Sequence, residues 1–360
     1  MIHRLSRFAV VAALPWLLYG APAAMASEAG ASGVAGIAQT PHIALLLPTG
    51  SKLFGRHASA LRDGFLAAKT RDRHLLPVRE YAVSEDVANV IEGYRTAVAA
   101  GAQVVVGPLT RDAVTALAFG EPVPVPTLAL NVPDSTGRSP GNLYMLGLQV
   151  ETEAQQLAQL AWRDGWRNAV IVAGSGAVQR RMRAAFSAEF TRLGGKIIAE
   201  PAFTADAARL KALANGDADM YFLALDYAEA RTARAYLGAN PIYATSSVHV
   251  GDPGPLAGFD LAGVTFVDMP WLLEPNHAAV MIYPRGTARP ADLERLYALG
   301  IDAWRVAQLL LTGARDIRLD GVTGQLSLAP DGRILRELPA GRYVDGRPRL
   351  AEPGKRESAR

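Results

Sequence analysis

Cysteine is absent from all 360 residues. That one absence excludes a disulfide framework, a thiolate metal site and a lipid-modified cysteine behind a leader. Long apolar runs are also missing. The best candidate, Phe8 to Leu18, is interrupted by Pro15 and has about half the ~20 residues that a membrane-spanning helix needs. Later runs are broken by glycine, proline or charge, so no transmembrane segment is expected. Neither sign of charge dominates: 37 basic residues face 34 acidic ones, and the formal +3 falls to +1 once Arg4 and Arg7 are set aside with the leader. Such a balance is no footprint for nucleic acid.

The chemistry-bearing residues are equally sparse. The histidines are His3, His42, His57, His74, His249 and His277, and none stands at a metal-ligand spacing from another histidine or a carboxylate. Ala173-Gly174-Ser175-Gly176-Ala177 has alanine where a nucleophile elbow needs its outer glycines. Gly50-Ser51-Lys52 lacks the upstream glycine of a phosphate-binding loop. With no nucleophile beside an identifiable base, the chain reads as a non-enzyme that carries no cofactor and no metal.

What is present begins with an address. Arg4 and Arg7, the apolar run and Ala24-Met25-Ala26 have the form of a secretory signal peptide over residues 1–26, with Ser27 as the first mature residue. The expected location is therefore the periplasm, in soluble form after cleavage. Residues 27–40 are rich in glycine, alanine and serine and read as a flexible lead-in; 351–360 reads as a disordered tail.

From His42 onward, short β-branched runs alternate with helical periodicity, the pattern of a doubly wound parallel sheet. Strands are expected at Ile43–Leu47, Leu76–Ala82, Gln103–Val106 and Thr127–Leu130, with helices at His57–Lys69, Val87–Ala99 and Thr110–Phe119. The pattern then restarts. Helices at Glu151–Asp164, Val178–Leu193, Ala205–Leu213 and Ala228–Leu237 alternate with strands at Ala169–Ala173, Lys196–Ala199, Met220–Leu225 and Ile242–Ala244. After that the alternation stops. Val264–Leu273 looks extended, and Pro290 opens a long helix with Leu293, Leu296, Tyr297, Gly300, Trp304, Ala307 and Leu311 on one face. Gln325–Leu328 and Ile334–Leu338 flank a Pro330-Asp331-Gly332 turn, so the chain is expected to end in a hairpin. The fold class is α/β: two doubly wound parallel-sheet lobes joined by a multi-strand hinge. Lobe one is assigned 41–148 plus 270–312, and lobe two 149–269 plus 313–350.

Open α/β sheets place ligands at the carboxyl ends of their strands. The loops there hold Thr49, Gly50, Ser51, Thr110 and Asn131 in the first half, and Ser175, Asp226, Tyr227 and Ser246 in the second. Small hydroxylated residues ahead of helices can offer donors to a carboxylate, and Asp226 with Tyr227 could hold an ammonium. The plainer reading of any one of them is a helix cap. Trp271 and Trp304 read as core.

Ile43-Ala44-Leu45-Leu46-Leu47-Pro48, Asp63-Gly64-Phe65-Leu66-Ala67-Ala68 and Val106-Gly107-Pro108-Leu109 resemble type I periplasmic binding proteins in general. Four further segments are more specific: Leu128-Ala129-Leu130-Asn131, Asp268-Met269-Pro270-Trp271-Leu272, Arg295 to Ala303, and Gly321 to Leu328 followed by Asp331-Gly332-Arg333. In that order they resemble the LppC (LpoA-like) family of penicillin-binding-protein activators over roughly 41–345. The resemblance implies a regulator or adaptor of peptidoglycan synthesis whose partner is a bifunctional peptidoglycan synthase. Its best-known members carry a lipidated cysteine and a helical-repeat domain ahead of this one, and this sequence has neither. The rival reading is a solute-binding receptor of an ABC importer, holding an amino acid or related small polar ligand between the lobes.

Overall fold

The computed structural model describes residues 39–72, 76–135, 137–214, 216–251, 254, 258–286 and 288–351. The leader, all but two residues of the lead-in, His74 and the tail beyond Ala351 lie outside it.

Strand β1 (His42–Leu47) is buried at every position, as an interior parallel strand covered on both faces must be. Helix α1 (Gly55–Arg71), β2 (Val78–Ala82), α2 (Val87–Ala99), β3 (Ala102–Val106), α3 (Arg111–Gly120), β4 (Thr127–Ala129) and β5 (Leu143–Met145) follow. The five strands form one parallel sheet in the order β2-β1-β3-β4-β5. The second half runs α4 (Val150–Arg163), β6 (Asn168–Ala173), α5 (Ala177–Arg192), β7 (Lys196–Ala199), α6 (Ala207–Ala214), β8 (Met220–Ala224), α7 (Tyr227–Arg234), β9 (Ile242–Ala244) and β10 (Val264–Val267). Its strands pair in parallel in the order β10-β9-β8-β6-β7.

The third part departs from expectation in two places. The extended reading of Val264–Leu273 holds only to Val267, because Pro270 sits at the first position of a short helix, α8 (Pro270–Leu273), where its fixed φ favours a helical start. Nor does the chain stop at the hairpin. After α9 (Ala278–Met281) and α10 (Ala291–Leu311), strand β11 (Arg318–Asp320) pairs with β12 (Gln325–Leu328), which pairs with β13 (Ile334–Glu337). β14 (Ala340–Val344) and β15 (Arg347–Leu350) then return antiparallel to β10 and make the second sheet mixed. The Pro330 turn forms as read, closed by a Gly332 N–H donating to the Ala329 carbonyl.

Helix α10 is apolar almost all round rather than on one face: fourteen of its residues are buried. It packs along α1 and against β3. The crossing is close because each helix offers a glycine to the other. A Cβ on Gly64 would lie 1.9 Å from the Tyr297 carbonyl oxygen, and one on Gly300 would lie 1.9 Å from that of Leu61. Trp271 and Trp304 are fully buried core residues. One apolar cluster runs through both lobes, from Ile43, Phe65 and Leu130 to Phe186, Phe222 and Val267.

Candidate functional site

The nine loop residues singled out from sequence fall at the ends of strands, and most turn their polar groups onto their own loops. Thr49 closes the turn after β1 with its N–H on the Leu47 carbonyl, and Gly50 is exposed beside it. The buried Ser51 hydroxyl accepts from Leu53 N–H at 3.1 Å and Phe54 N–H at 3.0 Å. Asn131 ties two loops together, its Nδ2 donating to the Leu109 carbonyl at 3.1 Å. Asp226 caps α7: its carboxylate accepts from Glu229 N–H at 2.9 Å, while the Glu229 side chain accepts from Asp226 N–H in a reciprocal box. Tyr227 is half-buried, with the Arg231 guanidinium 5.4 Å from its ring centre. Ser175 is exposed, and its carbonyl accepts from Arg180.

Thr110 differs from these. It stands at the start of α3, yet its Oγ1 is buried and has no hydrogen-bond partner. Next to it, Arg111 reaches Asp134 at 3.2 Å and Glu151 at 3.4 Å. Glu151, in the first turn of α4, also meets Arg181 of α5 at 3.2 Å. One carboxylate thus links the two halves at the rim, and its Oε2 is buried without a partner.

Ser246 leads to a second constellation, which the sequence reading missed. Its N–H donates to Glu153 of α4 at 2.9 Å, and its carbonyl accepts from Arg295 of α10 at 3.0 Å. Arg295 grips Asp268 with two nitrogens, at 3.1 and 2.6 Å, and also donates to the His249 carbonyl at 2.7 Å. His249 Nδ1 lies 2.8 Å from the same carboxylate. Burial alone would raise the Asp268 pKa, but Arg295 and His249 bring it down to about 2. Glu153 is raised, chiefly by burial.

The network continues along the junction. Asp302 of α10, fully buried, accepts from Thr323 N–H at 2.8 Å, Thr323 Oγ1 at 2.7 Å and Val322 N–H at 3.2 Å, and meets Arg305 at 3.2 Å. Burial raises its pKa. Arg336 of β13 donates to the carbonyls of Gly147 at 3.0 Å and Thr323 at 3.2 Å. Burial lowers its pKa, while Glu153, Asp268 and Asp302 favour its charge. A signal for this site was present in the sequence. Arg295 and Asp302 are seven residues apart on one face of a helix whose other faces are largely buried, and buried charges there need partners.

The model of the family described as "LppC putative lipoprotein" matches residues 22–213 and 208–346. The chain belongs to the LppC family. A penicillin-binding protein activator, LpoA, of Yersinia pseudotuberculosis is 25% identical over 68% of the chain and 45% of its own length. The chain spans about half the length of the curated relatives it matches. A Chromobacterium violaceum structure described as a "putative branched-chain amino acid ABC transporter" is 43% identical, covers 84% of this chain and all of its own, and superposes with a TM-score of 0.72. The C-domain of Haemophilus influenzae LpoA, described as a regulator of PBP1A, is 24% identical, covers 87% of this chain and all of its own, and has a TM-score of 0.73. The two-lobed α/β architecture read from the sequence is thus that of this LppC member and of the binding-protein structures it resembles. Among the described residues no helix is long and apolar enough to cross a membrane.

Proposed function

We propose that this LppC member is a non-enzymatic regulator or adaptor of peptidoglycan synthesis in the periplasm, and that its partner is a bifunctional peptidoglycan synthase of the penicillin-binding-protein type. The LpoA relatives, described as penicillin-binding protein activators, support the reading. The observation that carries it is the use made of the rim residues. Ser51 and Asp226 hold their own backbones, and the fully buried charges converge at the junction. The division into lobes at 41–148 plus 270–312 and 149–269 plus 313–350 belongs to this proposal. It is supported by the packing of α10 on α1 and by the return of β14 to the second sheet. The test is to add the purified chain to a bifunctional synthase from the same organism and follow glycan polymerisation and cross-linking. Stimulation together with saturable binding in interferometry is expected; absence of both would overturn the proposal.

A second reading has one observation in its favour. Thr110 Oγ1 and Glu151 Oε2 are buried without partners beside Arg111 and Arg181, and an unsatisfied buried polar atom costs about 1–3 kcal/mol. A small molecule with an ammonium or hydroxyl donor would satisfy both, as in a solute receptor of an importer. A thermal-shift panel of amino acids decides between the readings, since the adaptor reading expects no shift and the receptor reading expects one that Glu151→Gln abolishes.

A further inference from the structure

The chain passes between the lobes three times: from β5 into α4, from β10 into α8, and from α10 through the three-stranded sheet into β14. Each passage is held by a charged side chain from another element. Arg336 takes the Gly147 carbonyl in the first. Arg295 takes Asp268 in the second, with the Ser246 and His249 carbonyls beside it. Asp302 takes the Val322 and Thr323 N–H groups in the third. The three-stranded sheet adds a strap across the same junction. At its tip Gly332 accepts from Met145 N–H of the first sheet at 3.0 Å, and at its base Gln156 of α4 bonds both backbone groups of Leu338, at 2.6 and 3.1 Å.

A swinging hinge needs passages whose backbone torsions can change without loss. Here any rotation of one lobe would pull Arg295 from four acceptor contacts and strip Asp302 of its backbone donors while both carboxylates stay enclosed. A buried charge parted from its partner is strongly unfavourable, whereas the intact network holds one geometry. The apolar cluster that continues from lobe to lobe would have to open as well.

We infer that the two lobes are locked into one rigid frame at the hinge, and that this chain does not open and close about a bound molecule as a solute receptor does. The inference rests on the junction alone and stands whether or not a synthase is the partner.

The absence of cysteine makes a clean test available, because Glu92→Cys on α2 and Ala188→Cys on α5, both exposed, would be the two labelling sites. Spin-label distance measurements on the otherwise unaltered chain should give one narrow distance, unmoved by a millimolar mixture of the common amino acids. Hydrogen exchange on the chain without labels should place the amides of Met269, Val322, Thr323 and Leu338 among the slowest in the molecule. Arg295→Met and Arg336→Met should each broaden the distance distribution and speed exchange at these four amides by about a hundredfold. Two distances in the parent, a distance that moves with amino acids, or fast exchange at the passages would overturn the inference. So would folded Arg295→Met and Arg336→Met variants that leave both readings unchanged. Should neither variant fold, the measurements on the parent decide.

Discussion

The rim of the strand ends and the junction behind it are built from the same kinds of residue and use them in opposite ways. At the rim, Ser175 and Asp226 are exposed, and the contacts of these two are local, made within a few residues of chain. At the junction, Glu153, Asp268 and Asp302 are buried, and each has a partner on a distant element, up to 93 residues away. A local polar contact adjusts one loop and is replaced by water when lost. A distant buried one fixes the mutual position of whole elements, because its loss strands a charge in a dry place.

Substitutions ordered by size sharpen the contrast. Arg295→Met should lower unfolding free energy by about 3–5 kcal/mol, the cost of leaving Asp268 buried without its partner; urea denaturation with an unchanged slope would show it. Acid should act on the same pair. Asp268 titrates at about 2 in the folded chain, below its ordinary value near 4, so its stabilisation is complete above pH ~4 and is lost as pH falls toward 2. It amounts to about 2 kcal/mol. Glu153 and Asp302 are raised instead, and their protonation works in the opposite sense; stability curves of the parent and of Asp268→Asn should lie apart above pH ~4 and converge below it, as the parent loses what Asp268 contributes. At the rim, Asp226→Ala should cost about 1 kcal/mol, the worth of a helix cap. Ser175→Ala should stay within about 0.5 kcal/mol in the same urea experiment. Equal losses at Asp226 and Arg295 would erase the distinction between the two regions.

How far each feature could be read in advance follows from the range of the interactions that make it. Strands such as Lys196–Ala199 and Ile242–Ala244 and the helix Val87–Ala99 were legible to the residue, because apolar spacing is a local property. The β14–β15 hairpin was missed although its signal was printed: Asp345-Gly346 is a two-residue turn with φ of +50° and +73°, a strong hairpin mark, flanked by the inward Gly341 and Tyr343. Tyr343 and its neighbours lie among arginines, which hid the alternation. The junction network was beyond local reading for a different reason. Asp268, Arg295 and Arg336 carry no spacing that relates them, and only the meeting of three separate passages brings them together. Asp226 shows the converse: a residue that looked ready for a ligand reads as a cap once Glu229, three positions on, is taken into account.

The reciprocal glycine contact of α1 with α10 has a consequence for the order in which the protein can be made. Gly64 is synthesised more than two hundred residues before Gly300, and among the described elements α10 makes by far the most extensive contact with α1, whose face there carries Leu61 and Phe65. The first lobe therefore cannot finish folding as it emerges. Leu61 and Phe65 stay without their native partner until the chain has passed Leu311, by which time the strands of the second lobe up to β10 have already been made. The lobe begun first is completed only after most of the second has been made, and during that interval its unfinished surface is the one a chaperone or a protease would meet.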